Sequence, residues 1–344
     1  MTVLNVAMVG SDDLARSIAK ASDQRDVHTY VHKEMTPNGT KILSLIRPAK
    51  YPERLRPFLN ALSTSRAGII EIEAINATLG ETLVAFASAD IKDGLAIIAP
   101  KDGTWIDEEQ VKTLFTQAGL KNWTFEQNDG ILLRERLYDI LSKMESVLEE
   151  SKEHPLVVPI DQHFNVKGIG LVAIGYVQAG TIRVHDEVTL LPALGSGDVK
   201  SLQVMDDDVD SATAGDRVGI ALRNAKEDHL NGDTMIVHPA VNDKRTGTTI
   251  PLSLDAHKVS EVHLNRSPFQ KKELQVGDVV HACVDLQFVV GRIQECEGDN
   301  FVVQWEHPLY IRSHQPPSVL LAQLDSKPRI MGSCSIKQRN TSAS

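Results

Sequence analysis

Cysteine is scarce in this chain. Cys283, Cys296 and Cys334 are the three among 344 residues, widely spaced and without a C-x-x-C pair. A disulfide frame or a cysteine-built zinc site is therefore excluded as an organising device, and free thiols in a reducing compartment are expected. Positive charge is short as well: 36 Lys and Arg stand against 46 Asp and Glu, a formal charge of −10. Sequence-independent nucleic-acid binding needs clustered cations, so overall charge does not supply it. No apolar run approaches the ~18 residues of a membrane span. Met1 leads straight into the apolar stretch 3–9 with no signal-peptide pattern. These absences point to a cytoplasmic protein with no membrane association and no metal-ligand cluster.

Charge is unevenly spread. Residues 1–152 carry 18 cations and 22 anions, and residues 153–344 carry 18 and 24. From Pro239 onward the balance is 12 against 11. Any RNA contact is therefore expected in the last part of the chain, with Lys258, Arg266, Lys271, Lys272, Arg292 and Arg312 as candidate cations. Asp206, Asp207, Asp208 and Asp210 form an acidic run that reads as a solvated loop, since no His or Gly is spaced as in a calcium loop.

Two kinds of patterning divide the chain. Through residues 1–150, strand and helix signals alternate: an apolar strand ends at Gly10, a helix is predicted over 14–21, and Asn38-Gly39 marks a hairpin. Asp107 is a predicted N-cap for a helix over 108–118 that Gly119 stops. Residues 131–148 read as a long amphipathic helix. This alternation implies an α/β layer fold with a mostly parallel sheet. After the charged linker 149–153, apolar and polar residues alternate at period two through 166–174 and 181–191. Glycines at 168, 170, 175 and 180 punctuate these strands, as in a sheet curling into a small barrel. The boundaries that follow are 1–150 for the α/β domain, 154–238 and 239–338 for two antiparallel barrels, and a polar tail at 339–344 expected to fray.

The punctuated run carries a resemblance. Asp161, Phe164, Val166, Gly168, Gly170, Val172, Gly175, Val177, Gly180, Ile182, Asp186 and Val188 fall in register with the start of the second domain of elongation factor Tu and SelB, with His185 in place of the last Gly. A second block, Ala214-Gly215-Asp216-Arg217-Val218-Gly219, agrees. In the third domain, the stretch from Val276 to His281 and the stretches Val319–Asp325 and Arg329–Gly332 are similar to SelB. The chain thus resembles the translational GTPases, which implies a P-loop GTPase-like domain followed by two translation-factor barrels. The chain as it stands leaves no length for the fourth domain that selenocysteine factors carry.

The resemblance also implies where GTP and Mg²⁺ would sit. The family's G-H-V-D-H-G-K-T aligns with residues 10–17, so Gly10, Asp13 and the hydroxyl of Ser17 are kept, while Ala15 and Arg16 replace Gly and Lys. Alanine does not share glycine's backbone freedom, and a forked guanidinium is not a point-charge ammonium. The D-x-P-G-H motif falls on residues 46–50, with Ile46 or, shifted by one, Arg47 at the Asp. Asp102 alone survives of N-K-x-D, and Pro-x-Asp-Gly is also ordinary turn chemistry. Only 28 residues separate Ser17 from Ile46, too few for a long switch loop. Glu71 and Glu73 interrupt a central strand, either near the phosphate end or as solvated edge carboxylates. Gly10, Asp13, Arg16, Ser17 and Asp102 therefore outline a vestigial nucleotide site with no catalytic residue. The expected function is a SelB-like paralogue that acts as a non-hydrolysing binding protein on tRNA or the ribosome. It binds no cofactor unless that site still takes GTP and magnesium. An active GTPase with atypical motifs and a regulatory protein without RNA are the alternatives.

Overall fold

A computed structural model describes residues 1–37, 39–101, 104–243 and 248–339. The first domain runs β1 (Thr2–Val9), α1 (Asp12–Ile18), β2 (Lys20–Gln24), β3 (Val27–Thr36), β4 (Gly39–Pro48), α2 (Leu55–Thr64), β5 (Ala67–Ile72), α3 (Ala77–Ser88), β6 (Asp93–Ile98), α4 (Glu108–Ala118), β7 (Thr124–Phe125) and α5 (Gly130–Lys152). The sheet order is β2-β3-β4-β1-β5-β6-β7. Strands β4, β1, β5, β6 and β7 are mutually parallel, while β3 runs antiparallel to both β4 and β2. Helices cover both faces, which is why β1 is buried along six consecutive residues. One face packs on α1 and α5 through Leu14, Ile18, Leu133, Leu137 and Leu141. The other packs on α2, α3 and α4 around Phe58, Phe86 and Trp123, whose rings meet edge-on at 5.7 and 5.1 Å.

One expected helix is shorter than its pattern suggests. The sequence predicts a helix to residue 21, but α1 ends at Ile18, because Ala19 is already extended at φ −145° and ψ 159°. Arg134 of α5 takes up the freed end, donating to the carbonyls of Ile18 at 2.9 Å and Ser17 at 3.3 Å. A cation there suits the negative end of the helix.

Two barrels follow. The first contains β8 (Val158–Val166), β9 (Gly170–Tyr176), β10 (Thr181–Arg183), β11 (Glu187–Leu191), β12 (Gly195–Val204), β13 (Asp207–Val209), β14 (Ser211–Thr213), β15 (Arg217–Arg223) and β16 (Met235–Val237). The order β11-β16-β8-β9-β15-β12 closes through β11–β12 pairing. His185 occupies the last glycine position of the motif and takes φ +77°, in the left-handed region that glycine adopts at no steric cost. The acidic run is not a plain loop: Asp207–Val209 pairs with β12 as an added edge strand, its carboxylates still exposed. A short pair, β17 (Val241–Asp243) and β18 (Thr248–Ile250), leads to the second barrel. There β19 (Leu254–Arg266), β20 (Val279–Val284), β21 (Gln287–Glu297), β22 (Asn300–Arg312), β23 (Val319–Ala322) and β24 (Ile330–Gln338) close in the order β19-β22-β21-β20-β23-β24.

The domains are joined by buried contacts. Tyr176 of the first barrel and Cys283, Leu286, Leu320, Ala322 and Ile330 of the second belong to the same apolar cluster as Phe58 and Phe86. Asn5 donates to the carbonyl of Gly215 at 2.9 Å. Arg312 of β22 reaches Gln178, whose amide donates to the carbonyl of Ser63 at 3.1 Å, so one chain of polar contacts touches all three domains.

Candidate functional site

The turn from β1 into α1 faces a cleft of about 460 Å³ at the carboxyl ends of the parallel strands, the usual ligand position in an open α/β sheet. Gly10, Ser11, Asp12, Arg47, Glu71 and Lys101 line it. Ser11 caps α1 by accepting from the Leu14 amide at 3.1 Å. Its own backbone N–H is taken up: the Glu71 carboxylate accepts it at 2.5 Å. A Cβ on Gly10 would stand 3.0 Å from the Glu71 Cβ, so a larger residue there would push Glu71 aside by a few tenths of an ångström. From the opposite wall, Arg47 Nε donates to the Gly10 carbonyl at 2.6 Å. Glu71 and Arg47 thus brace the turn from β5 and β4. Glu73 pairs with Lys101 at 2.6 Å.

The other sequence-predicted residues do not converge on the cleft. Ser17 Oγ donates to the Leu14 carbonyl at 2.7 Å, inside its own helix. Arg16 pairs along α1 with Asp12, which also accepts from Tyr30 Oη. The Tyr30 hydrogen bond, followed by Arg16, holds the Asp12 carboxyl below its ordinary range, while burial first and then Asp12 push the Tyr30 hydroxyl up to about 12. Ala15 is fully buried against the sheet, and Asp13 is exposed. Asp102 lies outside the described residues. Of the two placements the sequence leaves open for Glu71, the structure gives the phosphate end; its bond to the Ser11 amide has no sequence signal. Among the described residues, no group of three His, Cys, Asp or Glu could hold a metal ion, and no helix is long and apolar enough to cross a membrane.

The six candidate RNA cations of the second barrel fall into two sets. Lys258, Lys271, Lys272 and Arg292 are exposed. Arg266 is held by Asp299 at 2.6 Å, and Arg312 by Asp285, whose side chain is almost wholly buried. Those two guanidinium groups act inside the fold.

Residues 170–236 match the family described as elongation factor Tu domain 2. An α/β domain followed by two such barrels is the architecture of translation elongation factors, and the chain is a relative of that group. Over its whole length the fold is SelB-like. It superposes on a bacterial selenocysteine-specific elongation factor with a TM-score of 0.77 at 18% identity, covering 98% of this chain and 58% of that one. For SelB of Methanococcus maripaludis in the apo form the TM-score is 0.72 at 17% identity, covering 98% and 80%. An uncharacterised protein of Methanocaldococcus jannaschii is 27% identical over 86% of this chain and 87% of its own. The selenocysteine-specific elongation factor of the same organism is 25% identical over 55% of this chain and 44% of its own length. Elongation factor 1-alpha of Methanospirillum hungatei matches 34% of this chain and 28% of that factor at 33% identity.

Proposed function

We propose that this chain is a cytoplasmic, SelB-like translation-factor paralogue that works by binding, with an α/β domain that does not hydrolyse GTP. The observation that carries this reading is the Glu71 carboxylate on the Ser11 amide. In a working P-loop the backbone amides of that turn face phosphate, and a hydroxyl and a carboxylate serve Mg²⁺. Here an internal anion already occupies one such amide, Ser17 is bonded within its helix, and Arg16 is drawn to Asp12. A triphosphate docking beside Glu71 and Asp12 would meet like charge, at about 4 kcal/mol per pair ~4 Å apart in an effective dielectric of ~20. The residues present do not fit GTP–Mg²⁺, and no catalytic step is assigned to it. Isothermal titration is expected to give no saturable heat with micromolar GTP and Mg²⁺. Micromolar or tighter binding that Arg16→Ala abolishes would overturn the reading.

The partner in this proposal is tRNA or the ribosome, engaged through the second barrel. Its exposed Lys258, Lys271, Lys272 and Arg292 support that assignment, as do the SelB-like barrels themselves. Crosslinking in cells followed by sequencing of the bound RNA is expected to enrich tRNA ends. RNA at background level would remove RNA from the proposal.

A further inference from the structure

This acidic protein carries a groove whose charged lining is cationic. It has a volume of about 490 Å³ and lies on the first domain, where α1, the start of β2, β3 and α5 meet. Arg16, Lys20, Lys33 and Arg134 line it over a floor of alanine and Val31, with no carboxylate in the lining. His32 stands among them as a neutral ring, because burial and then Arg134 hold its pKa below the ordinary value. Lys20 and Val31 are direct partners across the β2–β3 pair. Because residues two apart on a strand share a face, Lys33 stands on the same side as Val31 and Lys20. Strand β2 covers β3 only between His28 and Val31, so the outer edge of β3 from His32 onward has no strand partner among the described residues. Its free backbone groups border the groove.

The charges are not all neutralised. Arg16 pairs with Asp12, and Lys33 with Asp207 at 3.2 Å, each keeping a side chain 42% exposed or more. Lys20 and Arg134 have no carboxylate within 4 Å among the described residues. Arg134 is fixed by the α1 carbonyls, and His32 is hydrogen-bonded to Tyr138 at 2.8 Å. The groove is therefore partly rigid before any ligand arrives, which lowers the ordering cost of binding.

We infer that this groove takes the phosphodiester backbone of an RNA. A row of four cations with no carboxylate in the groove lining recognises a repeating anion and reads no base. The open strand edge adds neutral N–H donors, which also suit phosphate oxygens. The inference shares the RNA partner of the reading above but uses none of the second barrel's cations. A lysine on an open edge also keeps strands of other molecules away, and that alternative role predicts no RNA effect.

The test is fluorescence anisotropy of a labelled RNA duplex of about 16 base pairs with the full chain, between about 50 and 200 mM salt. Lys20→Ala/Lys33→Ala is expected to reduce the slope of log K against log salt by about 1.4–1.8, and Lys20→Arg/Lys33→Arg to retain it. A parallel variant, Lys258→Ala/Lys271→Ala/Lys272→Ala, reports on the barrel. Slope lost with the barrel variant but unchanged by the groove variant overturns the groove alone. Slope lost with the groove variant alone supports it and overturns the barrel assignment. No binding at about 50 mM salt overturns both. An oligoglutamate peptide that binds more tightly than the duplex would make the groove a protein-docking surface and overturn the RNA assignment.

Discussion

Arg329→Ala is expected to destabilise the protein by about 3–5 kcal/mol at neutral pH, measured by urea unfolding. Arg329 stands just before β24 and reaches Glu81 of α3 in the first domain. Its backbone N–H donates to Glu81 Oε2 at 2.8 Å, its Nε lies 3.1 Å from the same oxygen, and its guanidinium also donates to the Pro52 carbonyl at 2.9 Å. The Glu81 side chain is 9% exposed and that of Arg329 20%. Burial pushes the Glu81 carboxyl up, but the Arg329 hydrogen bonds outweigh it and leave the group below its ordinary value. Truncating the arginine removes the guanidinium and leaves a carboxylate with little water around it, held by the backbone N–H of residue 329 and Tyr51. Because the folded-state pKa is lowered, the pair's contribution is fully present above the unfolded-state value and is lost as pH falls through the folded value. The gap between wild type and variant should therefore be widest at neutral pH and shrink below about pH 4. A gap under ~1 kcal/mol, or one that does not change on acidification, would show that the pair is solvated and of the weak surface kind.

Gly332→Ala is expected to cost about 2–4 kcal/mol, again read from the urea midpoint. Gly332 lies in β24 opposite Arg266 of β19, at φ +151°. A Cβ there would stand 2.1 Å from the carbonyl oxygen of Asn265 and 3.0 Å from the amide nitrogen of Ser267. Both atoms are backbone, so no side chain can turn aside. Strands β19 and β24 are the pair that closes the second barrel, and Ser267 donates to the Met331 carbonyl at 3.0 Å at this same place. The barrel must open locally or the strand must shift. A loss below ~0.5 kcal/mol would mean that the closure is more pliant than these distances imply.

The fold was largely legible in the sequence because it is written in local patterns. Residues 94–99 form an apolar run, residues 181–191 alternate, and Asp107 and Gly119 bracket α4, where the structure shows the side-chain cap and the left-handed stop. Where a pattern stops short, the reading failed. The helical signal of residues 14–21 continues past Ile18, but Lys20 pairs with Val31 in the sheet and Arg134, more than a hundred residues away, takes the freed carbonyls. Gly332 was visible as part of a SelB-like stretch, but the reason for it, the Asn265 carbonyl, was not. The same limit governs the site. Gly10, Ala15 and Arg16 could be compared with a motif position by position, whereas the Glu71 contact joins residues 60 apart. Among the cations, sequence cannot tell an arginine that faces solvent from one that faces a carboxylate. Arg312 and Arg266 find Asp285 and Asp299 at separations of 27 and 33 residues.

The contact between Glu81 and Arg329 spans 248 residues of chain. That separation bears on synthesis. At roughly 5–20 residues per second, the α/β domain is complete for roughly 10–35 s before its last partner strand exists. During that interval the side of α2 and α3 that will meet Leu320, Ala322 and Ile330 is bare, and Glu81 has no counter-ion. The nascent first domain must stay soluble with an uncovered apolar face. Its carboxylate meanwhile remains hydrated, a charge that discourages premature association until the second barrel arrives to cover it.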